Sequence, residues 1–147
     1  MYSAILISHI LISIILIFLT LYIVSRSLFG VFGRINFSKF HDIKLSIFTV
    51  LLLYLELILG VLLYAIYINR LEDLVSQANA VSYFTARFWA VEHSILMFFA
   101  IIFGHLGLVY ATNLLEDKRK FQKNLLYFGL SFILIFISIT MNMLRNV

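Results

Sequence analysis

The sequence predicts an all-α membrane protein: an up-down four-helix transmembrane bundle, with residues 1–147 forming a single domain. Three observations carry this. Hydrophobic residues make up 63% of the chain, charged residues only 12%, and the mean hydropathy is +1.07, which is too apolar for a soluble domain of this size. Four apolar stretches, about 3–25, 44–68, 88–112 and 124–145, reach the ~20 residues that a helix needs to cross a bilayer. None alternates with period two, so helices are expected rather than barrel strands.

The first stretch has no basic segment before it and no A-x-A-like site after it, so it reads as a retained span and not a cleaved signal. Residues 26–43, RSLFGVFGRINFSKFHDI, mix Arg26, Arg34 and Lys39 with four phenylalanines, a composition suited to the membrane–water interface. The second stretch follows. Residues 69–87 include NRLEDLVSQANA, a candidate short surface helix. The third and fourth stretches are joined by the short polar linker EDKRKFQKN. Short connections make successive helices antiparallel neighbours.

Charge sets the expected orientation. Arg26, Arg34, Lys39, Lys44, Lys118, Arg119, Lys120 and Lys123 fall on one side, and only Arg70, Arg87 and Arg145 on the other. Basic residues mark the cytoplasmic side, so both termini are expected to face outward. The net charge of +4 therefore reports topology, and no nucleic-acid partner is expected. The expected surroundings are membrane lipid and the subunits of a membrane complex.

The chain has no cysteine, which excludes disulfides, thiolate metal sites and cysteine-held clusters. Histidine is the strong nitrogen ligand that remains. His9 and His93 lie inside apolar spans, where an ionisable group is a functional-site hypothesis by default. Each sits within about 10 Å of the outer end of its helix. Helices 1 and 3 are diagonal in a simple ring, so the two imidazoles would reach one ligand at the bundle centre. Neutral imidazole is a common axial ligand of haem iron. The alternative is hydrogen bonding between helices.

Ala100 and Gly104 share the face of His93 and would leave a groove for a flat macrocycle, or else for close helix packing. The His9 face carries Ser13, Leu16 and Thr20. Arg87, at the outer mouth, suits a propionate or an interfacial anchor. Glu56, mid-span, is expected to be neutral or paired, with an interhelical bond as its ordinary role and proton relay or quinol binding as its functional one. Glu92 points about 100° away from its neighbour His93 and is not its automatic partner. His105 suits a second ligand, a quinone hydrogen-bond partner or a satisfied core histidine, and His41 an exposed interface. Helix 4, with Ser131, Ser138, Thr140 and Asn142, reads as a packing helix.

Three motifs carry a resemblance: MYSAILISHILIS, IKLSIFTVLLLYLELILGVLLY and RFWAVEHSILMFFA. The chain resembles small four-span, cytochrome b-like membrane proteins of Bacteroidota, and Glu-His at 92–93 is the most specific element. The resemblance covers most of the chain. It implies a bacterial inner-membrane location, haem b with His9 and His93 as iron ligands, and electron transport. The sequence departs from the pattern at Ile7 and Tyr54, where histidines are expected, and near Ser13, where an arginine is expected. Tyr54 argues against a second haem. A member that has lost its haem would persist as a structural subunit.

Three readings follow. The first is a haem b electron carrier, a subunit of an oxidoreductase complex and not a free-standing enzyme. The second is a cofactor-free accessory subunit. The third is a quinone- or metal-binding protein using His9, His93 and Glu92.

Overall fold

The computed structural model describes residues 2–75 and 88–145, with side chains at 2–66 and 88–141. Four helices, α1 (Tyr2–Val31), α2 (Lys44–Val75), α3 (His93–Asn113) and α4 (Asp117–Arg145), form an up-down bundle, and no strand occurs among the described residues. All four are long and apolar enough to cross a membrane. A π-helical turn precedes α2 at Lys39–Ile43, and another precedes α3 at Phe88–Glu92. Helix α1 packs on α2 and α4, and so does α3, which leaves α1 and α3 as one diagonal.

The helices outrun the apolar stretches. Arg26 and Ser27 belong to α1, and most of the expected polar linker EDKRKFQKN forms the first two turns of α4. Charged residues extend a helix readily when no Pro or Gly stops it. Residues 69–75 continue α2, so the expected separate surface helix begins inside a long one; its remainder and Arg87 lie outside the described residues.

One pattern organises the core. Apart from Val50, Ile101 and Lys120, the buried residues of the four helices keep one spacing: they fall at 16, 20, 23, 27 and 30 on α1, and at 100, 104, 107 and 111 on α3. On α4 they fall at 121, 124, 128, 131, 135 and 138, and on α2 at 46, 49, 53 and 56. Alternating steps of three and four give a seam with a period of 3.5 residues, which favours left-handed bundle packing. Much of the seam is small or hydroxylated. Thr20 donates to the Leu16 carbonyl at 2.7 Å, Ser46 to Asp42 at 2.8 Å and Thr49 to Leu45 at 2.9 Å. A hydroxyl satisfied within its own helix keeps a narrow profile, so the backbones approach closely without a stranded polar group. Large apolar side chains point outward instead, as lipid requires.

The end of the bundle opposite the N-terminus is closed by a clamp. Gly33, at φ +70°, ends α1; its N–H bonds the Gly30 carbonyl at 3.0 Å, and that of Arg34 bonds Phe29 at 3.1 Å. This is a Schellman ending, which favours glycine. The turn delivers Asp42 beneath α1. Both Asp42 oxygens accept from Arg26, with Nη2 to Oδ2 at 3.0 Å, and Oδ2 also accepts from the Ser38 N–H at 2.7 Å. Asp42→Ala leaves the half-buried Arg26 without its counter-charge and is expected to cost about 1–2 kcal/mol. Unfolding in detergent micelles measures this. The exposed Glu116–Arg119 pair gives the contrast, since Glu116→Ala is expected to change stability by less than about 1 kcal/mol.

Candidate functional site

The seam continues past the apolar core to the N-terminal end of the bundle. Stepping back by three and four from Leu16 gives Ser13 and His9, and from Ala100 gives Met97 and His93. The same heptad geometry that buries the core thus turns both histidines inward. Their ring centroids lie 6.2 Å apart, with planes at 70°. The diagonal pairing expected from the sequence is present.

Each Nδ1 faces a side chain of a neighbouring helix. His93 Nδ1 lies 2.7 Å from Ser138 Oγ on α4, and His9 Nδ1 lies 3.3 Å from Glu56 Oε2 on α2. Glu56 Oε1 accepts a hydrogen bond from Ser13. Glu56 is buried, so its ordinary interhelical role is realised: it ties α2 to α1. Its Oε2 and the facing His9 Nδ1 are both buried without a well-formed hydrogen bond. A proton shared across that gap would satisfy both atoms, because either group becomes a donor when protonated. Five side chains, His9, Ser13, Glu56, His93 and Ser138, therefore bring all four helices together at one level. Trp89 and Phe88 flank His93, with centroids at 5.1 and 6.4 Å.

The other candidates lie elsewhere. Glu92 closes the π-helical turn before α3, and the carboxylate that faces His9 is Glu56. His105 is bonded through Nδ1 to the Tyr54 hydroxyl at 2.9 Å, on the outside of the α2–α3 face. His41 is exposed at the far end, beside Tyr22 and Asp42. Arg87 lies outside the described residues.

Ala100 and Gly104 do not form the open groove expected beneath His93. A Cβ built on Gly104 would lie 2.7 Å from Leu53 Cδ1, and Ala100 is packed with Leu16, Leu53, Ile101 and Ile135. These small residues serve close helix packing. Ser138, read from the sequence as packing material, is the positioning partner of His93. Its signal was the seven-residue spacing of Asn124, Ser131 and Ser138 on one helix face.

The donor set was tested against two kinds of ligand. Among the described residues no three His, Cys, Asp or Glu side chains converge as donors for a bare metal ion. Two imidazoles are the donors this chain would offer a haem iron, and the Ser138 hydroxyl at His93 Nδ1 is the kind of outer partner that fixes a ligand ring's tautomer and orientation. Two imidazole donors are present, and the groove at Ala100 and Gly104 is closed.

No protein-family model matches the chain, nor does any curated protein or solved structure. The class defined by fold and site is a four-helix membrane bundle with a half-buried pair of imidazoles across its diagonal.

Proposed function

We propose that this protein is a b-type haem carrier of a bacterial inner membrane, in which His9 and His93 would hold the haem iron. The observation that supports this most is the pair itself: two imidazoles from diagonal helices at 6.2 Å, His93 anchored through Nδ1 by Ser138 and His9 facing the Glu56 carboxylate at 3.3 Å. Bound haem would supply one-electron chemistry, in keeping with electron transfer between a quinol pool or periplasmic donor and a partner complex. The chain's own residues do the rest. Ser138 holds the His93 ring, and Glu56 faces His9, where a proton would be retained close to the site. The apolar seam below excludes water and keeps the local dielectric low. Visible spectroscopy of the purified chain, expressed with haem supplied, tests the reading. A b-type reduced-minus-oxidised spectrum is expected, and a colourless, fully folded protein overturns it.

The packing of Leu53 against Gly104 favours a second reading, a cofactor-free structural subunit in which the polar side chains simply tie helices together. Its mark would be a colourless chain comigrating with a membrane complex.

The orientation belongs to the same proposal. Eight of the eleven basic residues lie at the end of the bundle away from the termini, so that end is cytoplasmic and both termini are periplasmic. The chain has no native cysteine, so single cysteines report cleanly. Ser3→Cys is expected to react with an impermeant maleimide added outside the cell. Leu115→Cys, in the 94% exposed α3–α4 turn, is expected to react only after lysis. The opposite pattern would invert the topology.

A further inference from the structure

The histidine pair does not account for Tyr54 and His105. Tyr54 lies ten residues into α2 from Lys44, about 15 Å along the helix, and His105 lies eight residues from the end of α3, about 12 Å. Both are therefore deep in the hydrocarbon, and both are exposed on the outer α2–α3 surface. Their mutual hydrogen bond, 2.9 Å from the hydroxyl to Nδ1, uses one proton. A neutral imidazole and a phenol carry two. Whichever tautomer is present, one N–H or O–H donor is left facing lipid, where no water satisfies it. Leaving a donor unmade in an apolar medium is unfavourable, so the surface asks for an acceptor.

The flanking residues indicate what kind of molecule brings it. Leu51 and Ile58 share the face of Tyr54, and Phe98 and Ile102 that of His105; all four are large and exposed. Close approach of another transmembrane helix favours small residues. Here Gly104, Gly107 and Gly30 are turned into the bundle instead. A bulky apolar strip with one donor at its centre suits a flat, lipid-dissolved ring bearing a carbonyl. We infer that Tyr54 and His105 form a surface site that donates a hydrogen bond to the carbonyl oxygen of a membrane quinone. The purpose of such a site rests on the electron-transfer reading, but its chemistry requires no haem.

The probe is a photoreactive azido-benzoquinone with a ten-carbon tail, applied to the purified chain in lipid nanodiscs, with labelled peptides mapped. Label is expected on α2 and α3 around Leu51, Ile58 and Ile102. It is expected to fall at least tenfold in a Tyr54→Phe, His105→Leu variant and to fall partly in Tyr54→Phe alone, which keeps the side-chain shape. The His9→Ala, His93→Ala variant is expected to label like the wild type, so loss of the haem reading would leave this one standing. Undiminished labelling of the Tyr54→Phe, His105→Leu variant would overturn the inference. So would labelling confined to other helices, or a photocrosslinker at position 102 that captures a second polypeptide in native membranes in place of quinone.

Discussion

Removing both imidazoles, in a His9→Ala, His93→Ala variant, is expected to strip haem b from the protein and leave the bundle folded. Neither cysteine nor another histidine can take over. The chain has no cysteine, His105 is engaged by Tyr54 on the outer surface, and His41 sits at the opposite end. The fold is expected to survive because the seam below the pair, from Leu16 and Ala100 to Phe121, owes nothing to the histidines, and Glu56 keeps its bond from Ser13. Ser138→Ala tests positioning separately. It releases the Nδ1 of His93 without touching Nε2, and is expected to weaken haem retention by about tenfold, as loss of an outer hydrogen-bond partner commonly does. Haem per mole of protein and far-ultraviolet circular dichroism give the two readouts. Full haem content in the double variant would sink the ligand assignment.

The largest stability effect is expected where glycine meets an aromatic ring. A Cβ at Gly107 would lie 2.7 and 2.8 Å from ring atoms of Phe128, and one at Gly30 would overlap the ring of Phe121. Both rings are fully buried, at 0% and 2% exposure, and have nowhere to go. Gly30→Val and Gly107→Val are each expected to cost about 2–3 kcal/mol through overpacking. The two rings sit seven residues apart on α4, about 10 Å, so the double variant should be close to additive. Gly104→Ala is expected to be milder, because the atom in its way is the flexible end of Leu53. Gly129 has nothing within 4 Å of a built Cβ, and Gly129→Ala is expected to gain up to about 1 kcal/mol from helix propensity. Denaturant titration in micelles ranks the four; equal effects at positions 107 and 129 would contradict the close-packed seam.

The four spans were legible because apolar length is a direct physical demand of the bilayer. The histidine pair was legible for a related reason: matched depth follows from counting residues along helices, and diagonal placement follows from short connections. What the counting could not supply was azimuth relative to neighbours. Glu56 appeared as an isolated mid-span carboxylate because its partners, His9 and Ser13, lie more than forty residues away. Ser138 appeared as packing material because one hydroxyl carries no signal until its helix is docked. Ala100 and Gly104 were ambiguous in principle. Small residues leave space in one helix, and only the neighbouring helix decides whether that space stays open; here Leu53 takes it. Helix ends were misjudged toward shortness, since charged residues at 117–123 mark the edge of the membrane and not the edge of the helix.

The most direct test of the central claim is electron paramagnetic resonance of the oxidised, purified wild-type protein. The account predicts the low-spin ferric signal of an iron held between two imidazoles, lost in the His9→Ala, His93→Ala variant. A high-spin signal, or no haem signal from a folded protein supplied with haem, would contradict it.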